Sequence, residues 1–315
     1  MVQRLMQLFV QLVQSYLFLI VIALGGGLLL SDQAILLAPF ATLFLQIIFF
    51  LTSLKLDSKK VFKAVKNYKM LLVANIFMLL VLPTVVYLIA NLIVPEFALA
   101  LLLLSAMPTG MTAPLLVEVV GGKPSVALVL TLTTSLLAPL TIPLVVGTFA
   151  GTAVTVGALT MFWSLVKVIV IPFVLAQGVR YIANGKLDKV TVYFKPASLV
   201  LLCLLIMGVV AKQADTIMSG IGNTLLIQLA VLFVFVAVLL VVGYFVTFWK
   251  RCDERITVSI CMTFMNFTLA IYLAGSFFSD PNILLATVLI IFPWTLLLFP
   301  FRYIARNLVC KMIVK

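Results

Sequence analysis

The stretch Ser105-Ala-Met-Pro-Thr-Gly-Met-Thr-Ala-Pro114 places two prolines, a glycine and three hydroxyl side chains inside an otherwise apolar segment. A second polar cluster, Cys261-Met-Thr-Phe-Met-Asn-Phe-Thr-Leu269, interrupts an apolar segment nearer the C-terminus. A broken helix exposes backbone N–H and C=O groups that lipid cannot satisfy, so breaks are tolerated where they line a cavity or bind something. Prolines that merely kink a packed helix are the simpler alternative, and the presence of two such segments favours a binding site.

The composition around these segments is that of a membrane protein. Of the 315 residues 65% are hydrophobic and 10% are charged, with a mean hydropathy of +1.33. Soluble domains are about 45–50% apolar and about 25% charged. Ten apolar stretches are long enough to span a bilayer, which takes roughly 17–25 residues. They lie at about 15–30, 35–53, 70–93, 97–120, 125–148, 157–182, 197–211, 224–248, 256–278 and 282–301.

The positive charges of the chain predict its orientation. All but two of the 21 lysines and arginines lie in the even-numbered loops or in the two tails, and the exceptions are Lys212 and Lys167. Loops rich in lysine and arginine stay in the cytoplasm. We therefore expect a multi-pass protein of the inner or plasma membrane with both termini cytoplasmic. The net charge of +12 is then explained by topology and by contact with anionic lipid, and no nucleic-acid partner is expected.

The two interrupted segments recur at matching places in two halves of the chain. They fall in the fourth and ninth predicted spans, and each is followed by a short loop with proline (Gly121–Pro124 and Ser279–Pro281) and by a span with two further prolines. Five spans is an odd number, so the second copy enters the membrane in the opposite orientation. Inverted repeats with interrupted helices in matching positions are typical of secondary transporters. The sequence predicts one domain over 1–315, with repeats at about 1–150 and 151–315.

These segments, together with Ser164-Leu-Val-Lys-Val-Ile-Val-Ile-Pro172 in the sixth span, resemble the bile acid:sodium symporter family within the bile/arsenite/riboflavin transporter superfamily. The segment Asn266-Phe-Thr-Leu-Ala-Ile271 also resembles the ninth span of the related arsenite exporters. The resemblance implies an all-α fold with a core domain (spans three to five and eight to ten) and a panel domain (spans one, two, six and seven). The broken helices would cross in the core, substrate would lie between panel and core, and sodium would lie behind the crossing.

Polar residues of the spans supply the candidate sites. The candidate substrate-binding residues are Thr109, Gly110, Thr112, Lys167, Asn266 and Thr268. The candidate sodium ligands are Thr133, Thr134, Ser135, Thr263 and Asn266. Lys167 is alternatively a snorkelling side chain, and Asn266 is alternatively a helix–helix contact. Glu118 is the only acidic residue of a predicted span and the candidate for proton coupling, although it also fits an interfacial position near Lys123.

The sodium chemistry of the family does not carry over fully. Its symporters typically have a Ser-Asn pair after the first break and a Glu, with a Gln one turn on, in the ninth span. This chain has Ala113-Pro114 (Pro114-Leu115 if the alignment slips by one) and Cys261 with Met265. Sodium prefers hard oxygen ligands, so we expect sodium dependence to be weak or absent. The cysteine and glutamate of the arsenite exporters fall at about Thr109 and Thr268.

The sequence thus predicts a secondary active transporter that moves a small organic anion by alternating access, with sodium as an optional coupling ion. The alternatives are a sodium-independent or proton-coupled exporter of the arsenite or auxin-efflux type and, from a different class, a membrane ligand sensor. The chain has no histidine and no paired carboxylates inside a span, so we expect neither an enzyme nor a resident metal or cofactor.

Overall fold

The computed structural model describes residues 16–55, 68–151, 157–183, 190–220 and 223–305, and the described part is helical apart from short connections. The lysine-rich loop after the second span and both tails lie mostly outside these residues. The helices in chain order are α1 Tyr16–Leu29, α2 Ser31–Ser53, α3 Tyr68–Ile93, α4 Pro95–Ser105, α5 Ala113–Val120, α6 Pro124–Phe149, α7 Ala158–Ala183, α8 Phe194–Ala211, α9 Ala214–Gly220, α10 Asn223–Val246, α11 Cys252–Thr263, α12 Phe267–Phe277 and α13 Pro281–Tyr303.

Among the described residues, seven helices are long and apolar enough to cross a bilayer on their own, namely α2, α3, α6, α7, α8, α10 and α13. This confirms an all-helical, multi-pass membrane protein. The three other predicted spans correspond to α1, which has 14 described residues, and to two pairs of shorter helices, α4 with α5 and α11 with α12. The count of ten spans stays a prediction.

The two pairs of shorter helices confirm the predicted breaks and correct their limits. The first break covers residues 106–112, so Pro114 lies inside the first turn of α5 rather than in the break. Proline is tolerated there because the first N–H groups of a helix have no partner within it. The second break covers residues 264–266, and the side chain of Asn266 caps α12 by accepting a hydrogen bond from the Leu269 N–H at 3.1 Å.

The helices pack into two groups. We call α1, α2, α7 and α8 the panel, in which α8 contacts α1 and α2, and α2 contacts α7. We call α3–α6 and α10–α13 the core, in which each break lies among the other core helices. The panel meets the core where α2 and α8 contact α12 and where α7 contacts α6. The breaks therefore lie next to the panel–core boundary.

Candidate functional site

The two breaks cross and are joined through their backbones. The Gly110 N–H donates to the Phe264 carbonyl at 2.8 Å, and the Asn266 N–H donates to the Pro108 carbonyl at 2.7 Å. Together these bonds form an antiparallel bridge between Thr109 and Met265. Each break thus provides hydrogen-bond partners for backbone groups of the other. These groups would otherwise be left unsatisfied within the membrane, which is energetically costly.

Gly110 is required at the crossing by steric fit. A Cβ added there would lie 2.9 Å from both the Phe264 and the Met265 carbonyl oxygens. Backbone oxygens cannot rotate away as a flexible side chain can, so any larger residue would push the two breaks apart. Next to it, Thr109 is fully buried and its hydroxyl donates to the Cys261 carbonyl at 3.0 Å, which connects the first break to the last turn of α11.

A cavity of about 70 Å³ lies between the crossing and the panel. Four of the predicted substrate-binding residues line it, namely Gly110, Thr112, Asn266 and Thr268. The panel contributes Thr52 of α2 and Ser198 of α8, which the sequence gave no reason to select, along with apolar side chains of the same two helices. None of the lining residues that the structure describes is charged. We call this space the crossing cavity.

Two helix N-termini face the crossing cavity. Thr112 immediately precedes α5, and Asn266 immediately precedes α12. The N-terminal end of a helix carries a partial positive charge, so it attracts anions, although most of the first N–H groups of α5 and α12 already donate to backbone or capping oxygens. The side chain of Asn266 uses its Oδ1 for the cap, while its Nδ2 group makes no hydrogen bond with the described residues. The cavity therefore offers hydrogen-bond donors without a fixed negative charge.

Two lysines flank the panel side of the cavity. Lys55 follows Thr52 by three residues, and Lys195 precedes Ser198 by three, so each lies about one helical turn from a lining residue. Both are exposed. Partial burial, and to a lesser extent the positive charge of Lys195, lowers the pKa of Lys55. We call this pair the lysine mouth.

Behind the crossing, α6 brings several hydroxyl groups together. The Thr134 hydroxyl accepts the Thr109 N–H at 3.1 Å and donates to the Leu130 carbonyl at 2.6 Å. Thr131 and Ser135, one turn apart on the same helix, are buried, and their hydroxyl oxygens make no hydrogen bond within the described residues. Hydroxyls in helices usually donate to a carbonyl of the preceding turn, so these two are unusual. Thr131 was not predicted.

The hydroxyls of two other predicted ion ligands, Thr133 and Thr263, already donate hydrogen bonds to carbonyls of their own helices. Thr133 donates to Leu130 at 3.3 Å, and Thr263 donates to Ser259 at 2.8 Å. Cys261, at the family's carboxylate position, is fully buried, and its carbonyl already accepts the Thr109 hydroxyl. The region behind the crossing therefore contains hydroxyl oxygens but, within the described residues, no cluster of acidic side chains.

Two predicted residues lie away from the crossing cavity. Lys167 is exposed in the middle of α7 and lines a separate groove with Gln46 and Phe50 of α2, whereas Ile48 and Phe49 of that helix face the crossing cavity. Glu118 is exposed near the C-terminal end of α5. Neither lines the crossing cavity in this conformation, and their functional roles stay predictions.

On the other side of the crossing, panel and core pack closely. The Thr42 and Tyr272 hydroxyls are 3.2 Å apart, and Tyr272 is buried. Gly275 of α12 lies so close to Val209 of α8 that an added Cβ would stand 2.1 Å from its Cγ1. We call this contact region the tight seal. It involves the end of α8 farthest from the lysine mouth.

A charged contact joins the two half-helices on the lysine-mouth side of the core. Lys123, in the loop after α5, lies 3.1 Å from the Glu254 carboxylate and 3.4 Å from that of Asp253 at the start of α11. Its backbone N–H also donates to the Thr257 hydroxyl at 2.7 Å. The close approach is possible because residue 122 is glycine, since a Cβ there would stand 2.6 Å from that hydroxyl.

Comparison with known families agrees with this geometry. A sequence model described as the Sodium Bile acid symporter family matches residues 42–220, more than half of the chain. The chain belongs to the sodium bile acid symporter family. A search of curated proteins found no match.

Membership in the sodium bile acid symporter family makes this chain a multi-pass transporter of that type. The match extends from α2 to α9 and contains the first break. The second break lies beyond the matched residues, and the backbone bridge between Thr109 and Met265 connects it to the matched part. The core of the site is thus shared between the region that identifies the family and the C-terminal part of the chain.

Proposed function

We propose that this chain is a secondary active transporter that moves a small organic anion across the membrane by alternating access. The observation that carries the proposal is the crossing cavity, which lies between panel and core against two helix N-termini. Ligand sites in such transporters lie where interrupted helices meet, and anionic groups are bound by half-helix N-termini. A boundary between two helix groups is also where a rocking motion would open and close access.

We further propose ten spans arranged as two inverted five-helix repeats in a single domain over 1–315. The contacts between core helices support this arrangement because they occur in matching pairs. Helix α3 contacts α4 as α10 contacts α11, and α6 contacts α11 as α13 contacts α4. Likewise α5 contacts α11 as α12 contacts α4. The proposed repeat therefore maps α3–α6 onto α10–α13 in chain order.

The distribution of positive charge supports cytoplasmic termini. With that orientation the lysine mouth and the crossing cavity lie on the cytoplasmic side, and the tight seal lies on the outer side. The conformation is then inward-facing. Alternating access would require the tight seal to open and the panel to close over Thr52 and Ser198.

An anionic substrate suits the charges around the cavity. The lining residues carry no charge, the lysine mouth stands about one turn away, and Asn266 offers an unused amide. Like-charged repulsion between Lys55 and Lys195 would be relieved by an anion between them. Lys167 would reach such a substrate only in another conformation. The exposed position of Glu118 gives no support to proton coupling through that residue.

We propose that sodium coupling is weak. A sodium ion behind the crossing would find hydroxyl oxygens of Thr131, Thr134 and Ser135 but no carboxylate to balance its charge, and an unbalanced charge in a low-dielectric site is costly. The two hydroxyls without partners are the groups best placed to bind an ion. Any residual sodium effect should therefore be sensitive to Thr131 and Ser135.

Thermal unfolding of the purified protein against a panel of small organic anions tests the proposal, with sodium and potassium compared in parallel. A ligand raises the melting temperature with its concentration because it binds only the folded state. Anions that stabilise the protein are then reconstituted for flux in proteoliposomes. Saturable flux supports the transporter, whereas binding without flux would identify a ligand sensor. Stabilisation by cations but by no anion would contradict the proposed substrate class.

A further inference from the structure

Arg255 is a buried cation outside the crossing cavity. The side chain, near the start of α11, is 7% exposed. Its Nε donates to the Tyr244 carbonyl at 3.1 Å, and its guanidinium carbon lies 4.0 Å above the Tyr244 ring. A second ring, that of Phe245, is 5.4 Å away. Arginine stacked on aromatic faces gains a cation–π contribution, but neither contact neutralises the charge.

No carboxylate in the described part of the chain balances Arg255. Its two acidic neighbours on α11, Asp253 and Glu254, form their ion pairs with Lys123. Buried charges in proteins are normally paired, and cations at membrane depth find a partner or reach the interface. The arrangement therefore lacks one negative charge beside the Tyr244 and Phe245 rings.

An apolar groove of about 330 Å³ adjoins these rings. It runs between α10 and α13, and its walls include Val241, Tyr244 and Phe245 on one side and Leu297 and Phe301 on the other. No charged residue of the described part of the chain lines it. Val241 and Phe245 are each 57% exposed on the surface that faces lipid. Packed interiors rarely leave a void much larger than a water molecule, so an opening of this size is a surface groove rather than a gap in the core.

We propose that the groove binds one anionic phospholipid, with an acyl chain between α10 and α13 and the headgroup phosphate on the Arg255 guanidinium. The groove accepts hydrocarbon along its length. Arg255 lies next to it, against the Tyr244 and Phe245 rings that form part of its wall, and has no carboxylate partner among the described residues. Arginine binds phosphate oxygens in a bidentate manner. Arg251, which immediately precedes α11, and Arg302, in the last turn of α13, add positive charge that favours a headgroup with net negative charge. With the proposed orientation of the chain, the headgroup lies in the cytoplasmic leaflet.

Lipid binding to the purified full-length chain in neutral detergent tests the proposal. We expect phosphatidylglycerol to raise the melting temperature by several degrees more than phosphatidylcholine with the same chains, and native mass spectrometry to retain one phosphatidylglycerol. Inorganic phosphate should not reproduce the effect because it lacks the chain. Equal stabilisation by the two lipids, or full stabilisation by phosphate alone, would overturn the proposal.

Two variants and a matched control locate the site. Arg255→Gln should remove the preference for phosphatidylglycerol, weakening its binding about tenfold or more, as expected when one charge-assisted contact is lost. Val241→Trp fills the groove without changing charge and should abolish retention of the lipid, so the test remains decisive if Arg255→Gln does not fold. Val238→Trp alters an exposed residue of α10 outside the groove and should bind like the parent. Unchanged retention of the lipid in Val241→Trp would refute a lipid site. So would self-association of the parent that Val241→Trp abolishes while phosphatidylglycerol has no effect, because the groove would then bind a second copy of the chain.

Discussion

The panel–core interface differs on the two sides of the crossing. On one side a cavity of about 70 Å³ separates Thr52 and Ser198 from the two breaks, with two lysines at its mouth. On the other side Gly275 and Val209 are in close contact, and the Thr42 and Tyr272 hydroxyls meet at 3.2 Å. The same pair of panel helices, α2 and α8, contributes to both sides. One boundary thus contains a binding space and a closed seal, which is the asymmetry expected of a transporter held open to one side.

Replacing Gly110 should have the largest effect because the crossing positions both sides. In Gly110→Val the new side chain would meet two carbonyl oxygens already 2.9 Å from its Cβ. We expect loss of ligand-induced stabilisation and of flux, since overpacking costs about 1–3 kcal/mol even against movable side chains. Gly178→Val is the matched control, because a Cβ at Gly178 meets nothing within 4 Å. Normal flux in Gly110→Val would contradict the crossing as the core of the site.

Replacing Gly275 should break the tight seal while leaving the crossing intact. A valine there cannot coexist with Val209 in this conformation, since even a Cβ would stand 2.1 Å from that side chain. We expect the population to shift away from the sealed form by about 5–150-fold, which corresponds to 1–3 kcal/mol of overpacking. The rate at which reconstituted protein exchanges anion across the membrane should change, while the affinity of the detergent-solubilised protein for the anion changes less. Gly25→Val, at another uncrowded glycine, controls for the added bulk.

The breaks themselves were predictable because proline, glycine and polar residues inside a span leave backbone groups that lipid cannot satisfy. Gly110, Thr112, Asn266 and Thr268 were selected on that basis, and they line the cavity. Ten spans were predicted from the lengths of the apolar stretches, and seven of them are long helices in the described residues. The crossing was implied by the family resemblance.

Other parts of the site leave no such signal in the sequence. Thr52 and Ser198 lie at the ends of ordinary apolar helices, and only tertiary packing brings them to the cavity. The role of Gly275 depends on its contact with Val209, which is distant in sequence. The presence of a glycine alone does not predict which residue it will contact. Lys167 stands out in the sequence as a charge within a span, yet it lies on a face of α7 that lines a groove separate from the crossing cavity. Which face of a helix meets which neighbour is decided by packing rather than by local pattern.

A carboxylate behind the crossing should create or strengthen sodium dependence. In Cys261→Glu a hard ligand and a compensating charge would stand near the Thr134, Thr131 and Ser135 hydroxyls. Melting temperature in sodium should exceed that in potassium by several degrees, since ~100 Kd of a ligand adds about 2.7 kcal/mol. Cys261→Gln provides the neutral control and should show no ion preference. Steep sodium dependence in the parent, unchanged in Cys261→Glu, would mean that carbonyl and hydroxyl oxygens alone bind the ion.

The lysine mouth should have the smallest effect, and mainly on rate. Replacing Lys55 and Lys195 by glutamine should slow anion entry a few-fold at low salt and less at high salt, because charges at a rim act through steering. Lys212→Gln, beyond the other end of α8, is the control. The lowered pKa of Lys55 means that it loses its proton at a lower pH than an ordinary lysine. Anion entry should therefore slow as the pH rises through the lowered pKa of Lys55. An entry rate that is independent of salt and pH would contradict this role.

Sided labelling of a cysteine at Ser198 tests the inward-facing account most directly. Ser198→Cys, on a background in which the native cysteines are serine, is exposed to a membrane-impermeant maleimide in right-side-out and inside-out vesicles. The account predicts rapid labelling from the cytoplasmic face, none from the outside, and slower cytoplasmic labelling once Gly275→Val is added. Labelling of Ser198→Cys from the outer face of intact vesicles, at a rate that Gly275→Val leaves unchanged, would contradict it.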